Sequence, residues 1–163
     1  MTVTFNAFEV FEIAEQIERN GINFYIRTAE LFDDPKTIEL FLRLAEWERQ
    51  HEQIFARMKD QLSEQDRKQS ALEPDDLMPN PGVMAGLAVF GIRSDPAKEL
   101  HGKQNRIDIL RRAVEKEKDS IVFYLGIKEA VDESLGQGRI DHIIKEEMGH
   151  IKLLSAKLVQ YKA

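Results

Sequence analysis

The residues Glu48-Arg49-Gln50-His51 decide the fold of this chain, because their Glu-x-x-His pattern occurs again as Glu147-Met148-Gly149-His150, 99 positions later. Each copy has another glutamate 30 residues before it, and each of those glutamates has a tyrosine seven residues after it. These flanking residues are Glu18 and Tyr25 in the first half and Glu117 and Tyr124 in the second. Four carboxylates and two imidazoles recur in one register without an insertion, which indicates a tandem structural repeat.

The first copy of the repeat predicts two helices joined by a short link. Asn6 followed by Glu9 is typical of a capping box, and apolar residues then recur at helical spacing, so we expect helix A over about 7–32. Asp34 as N-cap and Pro35 at the first helical position predict the start of helix B, which extends to about residue 68. The short link makes the two helices an antiparallel hairpin.

The second copy predicts a matching hairpin. Asn105 with Asp108 is a possible capping box for helix C, expected over about 105–132, and Gly136-Gln137-Gly138 separates it from helix D, expected over about 139–161. The connection at 70–104 is rich in proline, and a short helix at 83–90 is possible within it. We therefore predict a single all-α domain over 1–163: an antiparallel four-helix bundle made of two repeated hairpins with a long B–C crossover.

Composition restricts the possible functions. The chain of 163 residues contains no cysteine, which excludes disulfides, iron–sulfur clusters and thiol catalysis within it. Its net charge of -6 argues against a nucleic-acid surface. The first residues lack the basic region of a signal peptide, and the longest apolar run, Val83 to Ile92, is too short to span a bilayer. We expect a cytoplasmic protein without a membrane partner, in which that run forms a buried segment or an oligomer contact.

The repeated residues share helix faces. Residues three apart on an α-helix project to nearly the same side, so Glu48 and His51 point together, as do their counterparts in the second copy. Residues seven apart are almost two turns apart, which places Glu18 and Tyr25 on one face around Ile22. Since Ile22 marks the core side of this helix, we expect the carboxylates and imidazoles to face the interior of the bundle.

Four buried carboxylates require compensation, because an uncompensated buried charge costs several kcal/mol. The helix faces offer no lysine or arginine at the matching positions, whereas two divalent cations balance four carboxylates. Carboxylate oxygen with imidazole nitrogen suits iron or manganese. We predict a site for two metal ions, with one histidine per ion, bridging carboxylates from Glu48 and Glu147 and terminal ones from Glu18 and Glu117. The six predicted ligands are Glu18, Glu48, His51, Glu117, Glu147 and His150.

Simpler interpretations exist for several of these residues. A single Glu-x-x-His is often an exposed surface pair, and only its repetition favours a metal site. Tyr25 and Tyr124 are either partners of the ligand carboxylates or core packing. His101 and His142 lack a glutamate three residues earlier, so we expect them on the surface or in the linker. Trp47 is expected at a helix seam or a subunit contact.

The segments IERNGINFY and LAEWERQHEQI, with VEKEKDSIVFY and IKEEMGHIKLL, resemble the rubrerythrin branch of the ferritin-like superfamily. The resemblance covers both hairpins and implies two iron ions, reaction of the reduced centre with hydrogen peroxide or dioxygen, and a homodimer. Rubrerythrins also carry a four-cysteine rubredoxin domain, absent here, and an extra glutamate one turn before the helix C ligand, where this chain has Val114. The repeat counterpart of Val114 is Glu15, which is either an additional ligand or, in our preferred interpretation, a surface or helix-pairing residue.

Four functional hypotheses follow from these observations. The first is a non-haem di-iron oxidoreductase of the peroxidase type, supplied with electrons by an external donor such as a rubredoxin-like protein or another reductant. The second is a ferroxidase that handles or stores iron, and the third is a di-manganese catalase-like enzyme. The fourth is an interaction bundle without metal. The resemblance associates peroxidase chemistry with the extra glutamate, so Val114 at that position weakens the peroxidase hypothesis.

Overall fold

A computed structural model of the chain describes residues 6–68 and 105–163. Four long helices and a short one occur in these ranges, numbered here in chain order: α1 (Ala7–Ala29), α2 (Pro35–Asp60), α3 (Glu64–Lys68), α4 (Arg106–Ala130) and α5 (Gln137–Lys162). The predicted helix at 83–90, the apolar run from Val83 and His101 lie outside the described residues. No helix in the described ranges is long and apolar enough to cross a bilayer.

The first hairpin consists of α1 and α2, and both caps predicted for it are confirmed. The Asn6 side chain accepts from the backbone N–H of Glu9 at 2.8 Å, and the Glu9 carboxylate accepts from the N–H of Asn6 at 3.0 Å. Asp34 caps α2 by accepting from the Thr37 N–H at 3.1 Å. Helix α1 ends earlier than predicted, at Ala29 rather than residue 32, because the following amides bond to carbonyls three residues back and tighten the chain into a turn.

The predicted helix to residue 68 is wrong as one continuous element. Helix α2 ends at Asp60, and a new helix, α3, begins at Glu64. Ser63 Oγ accepts from the Asp66 N–H at 3.1 Å while the Asp66 carboxylate accepts from the Ser63 N–H at 3.0 Å. This reciprocal pair is a capping box that starts a separate helix, and Leu62 at the break is buried.

The second hairpin consists of α4 and α5, joined around a short 3₁₀ turn at Glu133–Leu135. The Asn105 side chain caps α4 by accepting from the Asp108 N–H at 3.0 Å, which is one of the two hydrogen bonds of the predicted capping box. Gly136 has φ of 110°, and a Cβ there would lie 2.8 Å from Met58 Cε, so a glycine suits both the backbone and the space. Helix α5 begins immediately after it, at Gln137, earlier than the predicted residue 139.

The two hairpins pack through aromatic side chains of their inner faces. Phe55 of α2 lies 5.2 Å from Tyr124 of α4 between ring centroids, and Phe32 lies 6.0 Å from Tyr161 of α5. At the same end of the bundle, the hydroxyls of Thr37 and Tyr161 are 3.0 Å apart. Each large apolar side chain removed from water in this core contributes about 1.5–3 kcal/mol. The four long helices therefore form a bundle, and each of them contributes side chains to its buried centre.

Candidate metal centre

All four long helices contribute to a polar cluster at the centre of the bundle. Helix α1 provides one glutamate and α4 provides another, while α2 and α5 each provide a Glu-x-x-His pair. Each of these residues is at most 4 % exposed. They are the six residues that the repeat predicted as ligands: Glu18, Glu48, His51, Glu117, Glu147 and His150.

The cluster divides into two groups of four residues, each with one potential ligand atom per residue within 4.8 Å of the others. One group adds Glu18 and His51 to a common pair of carboxylates, and the other adds Glu117 and His150 to the same pair. The shared carboxylates belong to Glu48 and Glu147. Two overlapping groups with two common carboxylates are the arrangement that two neighbouring metal ions with bridging ligands require.

Both imidazoles direct Nδ1 toward the carboxylates. His51 Nδ1 lies 3.2 Å from Glu147 Oε1 and 3.7 Å from Glu18 Oε2. His150 Nδ1 lies 2.8 Å from Glu147 Oε2 and 3.3 Å from Glu48 Oε1. The ligand atom offered by each histidine is therefore Nδ1, and Nε2 remains available for an outer partner.

Six buried atoms of this cluster have no hydrogen-bond partner, although nearly all buried polar groups in proteins have one. They are oxygens of Glu18, Glu48 and Glu147, together with Nδ1 of both histidines. Within 6–68 and 105–163, the ion-pair partners of the four carboxylates are these two histidines. Carboxylate oxygens and imidazole nitrogens that converge in the bundle interior fit a metal cation, so the residues present suit a site for two metal ions.

Two tyrosines support this cluster from the opposite hairpin. Tyr25 of α1 donates its hydroxyl hydrogen bond to Glu117 of α4, and Tyr124 of α4 donates to Glu18 of α1. Burial, and then the nearby carboxylates, raise the pKa of both phenols well above the ordinary value, which keeps the hydroxyls as donors. Each tyrosine therefore holds the carboxylate that the repeat places on the other helix, and both also pack in the core.

Without a cation, the cluster retains protons. Burial, and then the Glu147 carboxylate, raise the pKa of Glu117 to about 8. Burial opposes a charge on His51, but the Glu18 carboxylate, together with that of Glu147, outweighs this effect and raises the pKa of His51 to about 12. Metal ions that bind here must displace these protons.

Glu15 does not join either group. Its carboxylate lies 2.7 Å from Lys59 Nζ of α2 and 3.5 Å from Arg19 Nη2, so its charge is compensated between α1 and α2. This contact pairs α1 with α2, which is one of the two roles preferred from the sequence, and the structure gives no support to Glu15 as an additional ligand. Its repeat counterpart, Val114, is buried and apolar, so neither half adds a carboxylate to the centre from this position.

Two contacts around the histidines were missed by the sequence interpretation. Trp47 of α2 stacks on the His150 ring, with 5.1 Å between centroids and an interplanar angle of 11°. Glu146 of α5 lies 2.9 Å from His51 Nε2, and its other oxygen is 3.5 Å from Nε2 of the exposed His142. The sequence did mark these two residues by their position. Trp47 and Glu146 each immediately precede a shared glutamate, and they are counterparts in the repeat.

Comparison with known proteins gives one structural result. No protein-family model matches the chain, and no curated protein sequence matches it. A crystal structure of a candidate ferritin-like diiron-carboxylate protein from Thermotoga maritima is similar, with a TM-score of 0.76, 25% sequence identity and 99% of each chain covered.

This similarity over the whole length confirms the predicted fold. The elements of the described ranges are helical, as the repeat predicted, and the neighbour is a ferritin-like protein. Together with the buried glutamate and histidine groups, it supports a non-haem site for two metal ions. The chain has an all-α, ferritin-like bundle with a carboxylate and histidine site at its centre.

Proposed function

We propose that this chain is a di-iron oxidoreductase whose reduced centre reacts with hydrogen peroxide or dioxygen, as its resemblance to rubrerythrins implies. The observation that carries the proposal is the pair of overlapping ligand groups with two common carboxylates. Four carboxylates balance two divalent cations, and carboxylate with imidazole is a donor set that iron favours. The structural neighbour is described as a diiron-carboxylate protein, which supports iron over other metals.

Each residue of the centre has a distinct role in this proposal. Glu48 and Glu147 belong to both ligand groups and would be shared by the two ions. Glu18 with His51 completes one position, and Glu117 with His150 completes the other. Two ferrous ions held there supply Lewis acidity and two electrons to an oxygen substrate.

The surrounding residues keep the ligand oxygens in place and exclude bulk water. The Tyr25 and Tyr124 hydroxyls orient the terminal carboxylates of Glu117 and Glu18, as partners of metal ligands commonly do. Phe55 is fully buried and lies 5.2 Å from Tyr124 between ring centroids, so this tyrosine is packed in the core. The electrons that restore the reduced state come from a separate donor, and the active protein is a homodimer.

The buried Val114 favours a second candidate function. The resemblance associates peroxidase chemistry with an extra glutamate at that position, and a valine offers no carboxylate there. A ferroxidase that oxidises ferrous ion and releases it to a carrier or store needs only the six donors present. This alternative predicts that oxidation is followed by loss of iron from the centre, whereas the peroxidase proposal predicts that the iron stays bound.

Metal analysis combined with an anaerobic peroxide titration tests the proposal. We expect two iron ions per chain and consumption of one equivalent of hydrogen peroxide per chain, accompanied by a near-ultraviolet absorption band. Repeated turnover upon addition of a reductant then separates the enzyme from the iron-handling protein. Oxidation no faster than that of free ferrous ion would contradict the oxidoreductase proposal, and two manganese ions in protein made without metal bias would favour a catalase-like enzyme.

Variants at the ligand histidines provide the matched control. His51→Ala and His150→Ala remove one donor from each group, and we expect each to lose about one metal ion per chain. His142→Ala removes an exposed histidine of the same helix as His150 and is expected to retain both ions. Unchanged metal content in all three variants would indicate an interaction bundle without a metal site.

A further inference from the structure

The two metal positions share equivalent ligands but differ in what lies behind their histidines. Trp47 and Glu146 are counterparts in the repeat, and each reaches across the seam between α2 and α5 to the histidine of the other helix. The contact is therefore symmetric in position and asymmetric in chemistry. One imidazole receives an aromatic face, and the other receives a carboxylate.

The residues one helical turn before Trp47 and Glu146 extend this difference. Arg43 and His142 are also counterparts in the repeat, four residues before Trp47 and Glu146 respectively. The Arg43 guanidinium lies 4.9 Å from the centroid of the Trp47 ring, which places a permanent positive charge on the His150 side. On the other side, His142 approaches the Glu146 carboxylate at 3.5 Å.

A carboxylate behind a histidine ligand changes its donor properties. His51 Nε2 lies 2.9 Å from Glu146 Oε2, which suits an Nε2–H that donates to the carboxylate and leaves the Nδ1 lone pair for a metal. This contact fixes the tautomer and ring orientation and makes Nδ1 a stronger base. The indole over His150 supplies no acceptor, and the nearby guanidinium disfavours further positive charge.

We propose that Glu146 is a positioning residue that makes the two metal positions unequal, so that the Glu18–His51 position fills before the Glu117–His150 position. This inference rests on the proposed two-metal site and concerns the order and strength of binding at it. Loss of a partner behind a metal ligand typically changes metal affinity by about 10–100-fold. We expect the two positions to differ by a factor of that size.

Zinc titration of the metal-free protein, followed by NMR of labelled histidine side chains, tests the inference without an activity measurement. Zn²⁺ is diamagnetic and accepts carboxylate and imidazole ligands. The signals are assigned with His51→Ala and His150→Ala. In the wild-type protein, the His51 resonances are expected to shift during the first equivalent of zinc and the His150 resonances during the second.

Three variants distinguish the carboxylate effect from a structural effect. Glu146→Gln keeps the size of this half-exposed side chain and removes its charge. We expect metal binding at the His51 position to weaken by about 10–100-fold, so that the resonances of the two histidines shift together during the titration. Trp47→Glu places a carboxylate behind His150, and we expect the His150 resonances of this variant to shift during the first equivalent of zinc. Trp47→Phe keeps an aromatic ring without an acceptor and is expected to preserve the wild-type order.

The outcomes separate this inference from the proposed function. If two zinc ions bind but both histidines respond together in the wild-type protein, or if Glu146→Gln retains the order, the positioning role is wrong and the two-metal site stands. If Glu146→Gln weakens both positions equally, Glu146 has a structural role only, and the inference fails. If no zinc binds and neither histidine responds, both the two-metal site and the inference are wrong.

Discussion

Removal of the hydroxyl from Tyr25 or Tyr124 tests whether these residues hold the ligand carboxylates. Each phenol is fully buried and donates to a carboxylate on the other hairpin, so phenylalanine at either position leaves a buried carboxylate oxygen without its donor. An unsatisfied buried group of this kind costs about 1–3 kcal/mol. For a chain of this size, each kcal/mol lowers Tm by about 2–4 °C, so we expect the metal-free variants to melt about 2–12 °C below the wild-type protein.

The metal-loaded protein gives the more specific measurement. Tyr25→Phe affects the carboxylate of Glu117 and Tyr124→Phe that of Glu18, so each variant weakens a different metal position, by about 10–100-fold. Competition with a chelator, followed by metal analysis, measures both affinities. The matched control is Tyr161→Phe, whose hydroxyl lies 3.0 Å from Thr37 outside the centre and whose removal costs about 0.5–1.5 kcal/mol without a change in metal affinity. Wild-type metal affinity in both Tyr25→Phe and Tyr124→Phe would refute the positioning role and leave core packing as their function.

Three further predictions concern charge and packing. The folded-state pKa of Glu117 is raised to about 8 from an ordinary value of 4.5. Between these pH values the folded metal-free chain keeps a proton that the unfolded chain releases. The stability of the metal-free chain therefore falls as pH rises from 4.5 to 8. Metal binding displaces that proton, so apparent metal affinity rises over the same pH range. Urea unfolding checks the stability trend, and calorimetry in two buffers checks the metal affinity. Stability and affinity that do not change with pH would contradict these expectations. Lys59→Leu removes the closest partner of Glu15 and is expected to cost about 3 kcal/mol, whereas Glu15→Val combined with Lys59→Leu restores most of the stability. In the double-mutant cycle, a loss in the double variant equal to the sum of the losses in Glu15→Val and Lys59→Leu would show that the ion pair is not coupled. Phe41→Ala opens a cavity in the fully buried core and is expected to cost about 3–5 kcal/mol in urea unfolding, and a loss below 1 kcal/mol would show that the core collapses around it.

The positions of the candidate ligands were predictable because they depend on helical periodicity alone. Spacings of three and seven residues place side chains on one helix face, whatever the exact packing of the bundle. The repeat then showed that two such faces must meet. The break after Asp60 was also encoded locally, by Ser63 followed by Asp66, but the continuing apolar pattern through Leu62 favoured one longer helix.

Contacts between helices were not predictable in the same way. The distance of 2.9 Å between Glu146 and His51 depends on how α5 is rotated against α2, and no sequence spacing specifies that rotation. The same is true of Trp47, for which the sequence favoured a helix seam or a subunit contact. The structure places it on His150, within the seam between α2 and α5.

The departures from the repeat follow a physical rule. Glu15 and Lys59 form an ion pair in the first hairpin, and their counterparts in the second are Val114 and Leu158, both packed in or against the apolar core. Replacement of both charges together is tolerable, because a buried ion pair and an apolar pair of similar volume differ little in stability. A single replacement removes the closest partner of the charge that remains. Neither version adds a ligand to the centre, since the Glu15 carboxylate is committed to Lys59 and valine has none. Both metal positions therefore keep the same set of donor residues, and a difference between them has to arise from residues that do not touch the metals.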